Sequence, residues 1–142
     1  MARESLTEQI VKDFLECHLS KEKWTHQAHL RVGLWHLLQY QPWESLEKLR
    51  HRIKKYNVAC GVENTETQGY HETITRFYLW LIHQFLQQVG RSQPIDTLAD
   101  ELIRRYGARS LLWDYYSKEQ LMSKTARLGW VEPDLKSLQA VE

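Results

Sequence analysis

Cysteine is nearly absent. Cys17 and Cys60 stand far apart with no Cys-x-x-Cys pair, which argues against a disulfide framework or a cysteine zinc site and fits a reduced compartment. Charge of one sign is missing too: 19 basic side chains face 18 acidic ones. No global field therefore recruits nucleic acid or an anionic membrane, and neither is expected as a partner. The longest apolar run, Leu79-Trp80-Leu81-Ile82, ends at His83 and Gln84, far short of a membrane span. The first residues, Met1 to Ser5, lack a signal-peptide apolar core, so a cytoplasmic location is expected.

Several motifs are also missing. There is no Gly-x-Gly-x-x-Gly or Walker loop, no Gly-x-Ser-x-Gly elbow and no His-Glu-x-x-His. No Glu-x-x-His pair recurs on two helices, so the ferritin-like di-iron pattern is not met.

What is present is helical periodicity. The spacing predicts an all-α chain of about six helices, with residues 1–142 forming one domain and an extended tail over about 129–142. Helix one covers 5–19, with Leu6, Ile10 and Phe14 on its apolar side. The second begins at the N-cap Thr25 and runs to about Tyr40; Gly33 in its middle points to another backbone packed close by. Pro42 starts the third, whose outer face carries Lys48, Arg50, His51, Arg52, Lys54 and Lys55, read as a solvated basic face with an anion or nucleic-acid patch as the alternative. The fourth, about 70–89, is apolar on several sides and therefore central, with Gly90 at its end. A fifth spans 95–106, a helical turn covers 111–116, and Ser117-Lys118-Glu119-Gln120 opens a last helix to about Arg127. Six tryptophans, seven tyrosines and three phenylalanines point to a core rich in large side chains, with an aromatic-lined ligand pocket as the alternative; any exposed among Trp35, Trp43 and Trp80 would offer a face for a homo-oligomer.

The chemistry-bearing residues lie at two helix starts. His26 and His29 share one face at the start of the second helix, and His71-Glu72 opens the fourth. The positive helix ends favour neutral imidazole, the form that ligates metal. If the starts meet, His26, His29 and His71 make a three-histidine site for one divalent ion (zinc, iron or nickel), with an open position for water. Glu72 is then a fourth ligand or a catalytic base, and Thr75 orients a water. Arg31 and Arg76 are candidate anchors for an anionic substrate. The plain alternative is that these groups are caps and ties, with Glu72 paired to Arg76 at i, i+4.

Trp24-Thr25-His26-Gln27-Ala28-His29-Leu30, Gly69-Tyr70-His71-Glu72-Thr73-Ile74-Thr75, Tyr116-Ser117-Lys118-Glu119-Gln120-Leu121 and Trp130-Val131-Glu132-Pro133-Asp134-Leu135 together resemble a group of short uncharacterised bacterial proteins. The resemblance brings no reaction with it. It implies that both helix starts and the 116–123 segment belong to one site, with Tyr116, Ser117 and Ser123 as pocket residues; without it, Ser117 is simply a helix cap. Two functional readings follow. One is a metal-dependent enzyme acting on a small polar molecule. The other is a non-catalytic module whose polar cluster, ringed by Tyr70, Tyr115 and Tyr116, holds a small anionic ligand or serves as a structural network, or whose third helix docks a partner.

Overall fold

The computed structural model describes residues 4–139, and among them eight α-helices and no strand form. They are α1 (Leu6–Leu15), α2 (His26–Gln39), α3 (Pro42–Ala59), α4 (Glu72–Val89), α5 (Ile95–Tyr106), α6 (Leu111–Tyr115), α7 (Lys118–Leu121) and α8 (Lys124–Leu128), with a 3₁₀ turn over Lys21–Lys23. Local chemistry sets most of the starts. The Thr25 hydroxyl accepts from the Ala28 amide at 3.1 Å, and Pro42 occupies the first turn of α3, where its missing N–H costs nothing.

Two boundaries depart from the periodic reading. The first helix stops at Leu15 rather than 19. Cys17 turns to φ +58°, the amides of His18 and Leu19 both donate to the Asp13 carbonyl, and Leu19 swings into the core. The last expected helix divides into α7 and α8. The Ser123 hydroxyl accepts from the Ala126 amide at 3.1 Å and so starts a new helix before the old one has gone far. With α6 in place of the expected helical turn, the described residues form eight helices where about six were expected.

As expected, α4 is central. Its Ile82, Phe85 and Leu86 pack into a large cluster built with α1, α2, α3 and α5. Its Phe77 and Leu81 face the other way, into a smaller cluster with Leu112, Tyr115, Tyr116 and Leu121. Full burial of each such side chain is worth roughly 1.5–3 kcal/mol, so α4 needs cover on both sides. At Gly33 no foreign backbone approaches. A Cβ there would stand 2.9 Å from the Ile82 side chain, so α2 makes room for an α4 side chain.

The tail is irregular but fastened. Thr73 Oγ1 donates to the Gly129 carbonyl at 2.7 Å and accepts from the Val131 amide, and the Leu135 amide donates to the Tyr115 carbonyl. Residues 140–142 of the expected tail lie outside the described residues. Trp43 is exposed, whereas Trp35 and Trp80 are half-buried. No helix among the described residues is long and apolar enough to cross a membrane.

The connection between α3 and α4 turns on Gly61 and Gly69, both at positive φ. A Cβ at 61 meets open space, but at 69 it would lie 2.5 Å from the Glu63 carbonyl oxygen. Gly61→Ala is expected to cost about 1–2 kcal/mol for the backbone conformation alone. Gly69→Ala is expected to cost at least about 1 kcal/mol more. Urea midpoints of the two variants check the order; equal losses would contradict it.

Candidate functional site

The i, i+3 spacing at the start of α2 places His26 and His29 side by side on one wall of a cleft between α2, α3 and α4. His29 is fixed on two sides. Its ring stacks on Trp24 with centroids 3.7 Å apart, and Trp24 in turn stacks on the buried Phe14 at 4.7 Å. Its Nδ1 lies 2.7 Å from the Thr25 carbonyl, which only accepts. Nδ1 therefore carries the proton, and Nε2 is left with a free lone pair. His26 meets Tyr78 edge-on at 5.3 Å, and its buried Nε2 has no hydrogen-bond partner.

The inner cleft is narrow, about 70 Å³, and apolar apart from these rings and Thr75. A wider space of about 410 Å³ adjoins it, sharing His26, His29, Ile74 and Tyr78 as lining and flanked also by Arg109, Leu112 and Trp113. Arg109 is exposed and has no ion-pair partner among the described residues. Desolvation, with the Arg109 charge adding to it, lowers the His26 pKa. Desolvation against the cleft wall and Trp24 likewise lowers the His29 pKa, although the residue as a whole is exposed. Burial pushes the Tyr78 hydroxyl up to about 12. Both imidazoles and the phenol are thus neutral near pH 7.

His71 and Glu72 do not join this wall. The His71 ring is itself the N-cap of α4: Nδ1 accepts from the Ile74 amide at 3.2 Å, and Nε2–H donates to the Leu121 carbonyl at 2.8 Å. Both ring nitrogens are spent on holding α4 to α7. Glu72 takes two hydrogen bonds from Arg50, at 2.8 and 2.6 Å, and a third from the Tyr70 hydroxyl at 2.8 Å. Burial pushes this carboxyl up, but the donors and the Arg50 charge outweigh it, so its pKa falls below the usual range. The expected Glu72–Arg76 pair is replaced by this bidentate one. Among the described residues no three His, Cys, Asp or Glu side chains are grouped to hold a metal ion, so the expected convergence of three imidazoles and a carboxylate does not form.

The remaining candidates are distributed differently from the expectation. Thr75 lines the cleft, with its hydroxyl donating to the His71 carbonyl. Arg31 is buried and donates to Thr7 and Asp100, tying α2 to α1 and α5, and it lies outside the His26–His29 cleft. Arg76 lies over the Trp130 ring at 5.0 Å. Tyr116 is fully buried with its hydroxyl on the Val131 carbonyl, while Ser117 and Ser123 cap α7 and α8. None of these last three lines the His26–His29 cleft.

Trp24, Tyr78 and Arg109 were missed as site residues. Tyr78 sits seven positions after His71, and its helical spacing reads as one more core aromatic. Arg109 lies in a short connection without any periodic signal. No known protein family, curated protein sequence or solved structure matches this chain.

Four histidines, at 26, 29, 36 and 71, have lowered pKa values. For His36 the value is about 4, through burial, with an Arg52 N–H 2.8 Å from its Nε2. A histidine with a lower pKa folded than unfolded takes up a proton on unfolding. Its contribution to stability is complete above about pH 6.5 and is lost as pH falls toward the folded value. Stability is therefore expected to drop between pH 7 and 5, by at most about 1.4 kcal/mol per pH unit for each such group. His71→Asn keeps an acceptor for the Ile74 amide but removes the titration, so it should flatten that slope. Urea unfolding at pH 7, 6 and 5 measures it; an unchanged slope in the variant would contradict the capping role.

Proposed function

We propose that the protein binds a small organic anion with an apolar body, seated in the His26–His29 cleft with its charged end toward Arg109. The observation that carries this reading is the buried, unpartnered Nε2 of His26 in an otherwise apolar wall. An unmade hydrogen bond of this kind costs about 1–3 kcal/mol, and a ligand that supplies the partner recovers it. Apolar lining with a few converging polar groups is the usual make-up of a small-molecule site. The exposed Arg109 guanidinium, lacking an ion-pair partner among the described residues, adds charge selectivity at the mouth. An aromatic or short aliphatic carboxylate has the matching shape.

A second reading has one observation in its favour. His29, with its Nδ1–H held by the Thr25 carbonyl, has the arrangement of a metal ligand or a general base, because Nε2 is the free nitrogen. In that reading His26 and His29 hold a zinc, iron or nickel ion with the bound molecule as a further donor.

Ligand-observed NMR with benzoate and benzyl alcohol as probes tests the first reading. Benzoate should saturate and bind at least about ten-fold more tightly than the alcohol, equivalent to about 1.4 kcal/mol. Arg109→Gln should erase that preference, and His26→Phe should weaken both probes. No saturable benzoate binding, or binding indifferent to both substitutions, would overturn it. Elemental analysis of the tag-free protein addresses the second reading. Near-stoichiometric metal that is lost in His29→Ala would favour it, whereas benzoate binding unaffected by a chelator would favour the first.

A further inference from the structure

A second cavity, of about 170 Å³, lies between α3, the connection that precedes α4, and α8, and it shares no residue with the histidine cleft. We propose that it is a site for a phosphate group, free or as a monoester. Arg50 and Lys54, one turn apart on α3, line it together with Arg127 of α8, while Glu72 is the only carboxylate in its wall. The wall is left two positive charges in excess, which matches a tetrahedral dianion. Bringing three cations from two helices, α3 and α8, into one concave space is unfavourable unless an anion compensates, and the concavity focuses their field.

The donors are held in place and only partly used. Arg50 spends Nε and Nη2 on Glu72, which leaves Nη1 unassigned. Arg127 spends Nη1 on the Gly69 carbonyl at 2.9 Å, which leaves its Nε and Nη2. The Lys54 ammonium rests over the Tyr70 ring at 5.3 Å and has no acidic partner among the described residues. Planar guanidinium forks fixed at two sides of a cavity suit phosphate oxygens better than flexible ammonium groups alone would.

The surrounding loop is built to keep this geometry. Asn64 Oδ1 accepts from the Tyr70 amide and from Asn57, and Asn64 Nδ2 donates to the Lys54 carbonyl. The tight turn at Gly69 then presents the carbonyl that anchors Arg127. Ordering these groups before binding lowers the cost of capture. Leu128 is the only aliphatic side chain in the wall and the Lys54 ammonium lies over the Tyr70 ring, so the cavity takes a hydrophilic head group and no apolar body. That separates it from the carboxylate-with-apolar-body chemistry of the other cleft.

The test is isothermal calorimetry of the full chain with inorganic phosphate and, separately, glycerol 3-phosphate, in a phosphate-free buffer of low ionic strength. Saturable one-site binding is expected for phosphate, for the monoester, or for both; the pattern tells whether the site accepts a free or an esterified group. Lys54→Gln should weaken it about ten-fold, as for the loss of one charged contact, and Lys55→Gln, an exposed neighbour outside the cavity, should leave it unchanged. Arg127→Gln should weaken it as well. Because Arg127 also ties the loop, the Lys54 variant, whose side chain holds no structural hydrogen bond, is the deciding one. No saturable binding of either probe, or binding that Lys54→Gln leaves intact, would overturn the proposal.

Discussion

The structure depends on α4 having to be covered on both sides. Its buried Phe77 and Leu81 face one way and Ile82, Phe85 and Leu86 the other, so no single layer of helices can complete it. The larger cover comes from α1, α2, α3 and α5. The smaller comes from α6 to α8 and the fastened tail. The His71 ring joins the two at the N-terminus of α4 by capping the Ile74 amide and donating to the Leu121 carbonyl. The same constraint creates the cleft, because α2 crosses α4 at Gly33 against Ile82 and leaves its first turn standing over Thr75 and Tyr78.

That first turn concentrates the chemistry. Two imidazoles in a largely apolar wall stay neutral because the charged form would lose its hydration. One of them is oriented by a carbonyl and an aromatic stack, and the other has a nitrogen with nothing to bond. Within the protein this is a small cost in stability. In the reading proposed above, a bound molecule offsets it, and the neighbouring guanidinium selects the molecule's charge. Glu72, by contrast, is satisfied three times over and belongs to the stability of the α3–α4 junction.

Much of the fold was legible because its signals are local. Thr25, Pro42 and Gly90 mark helix ends by their own backbone chemistry, and α4 declares its burial by being apolar on several faces. The site was legible only in part. His26 and His29 share a wall because an i, i+3 rule places them there. Whether His71 reaches them depends on the angle between two helices, which no local pattern encodes, and its ring turned to α7 instead. Glu72 shows the same limit: the i, i+4 rule offered Arg76, but the partner is Arg50, 22 positions earlier on another helix. Ser123 caps a helix of its own inside the stretch read as one last helix to about Arg127.

The most direct test of this account is a long-range proton–nitrogen correlation spectrum of the histidine rings at pH 7, recorded with and without saturating benzoate. His29 is expected as the neutral Nδ1–H tautomer, with ligand-dependent shifts at the Nε2 atoms of His26 and His29 and none at His36 or His71. An imidazolium signature for His29, or shifts confined to the other histidines, would contradict it.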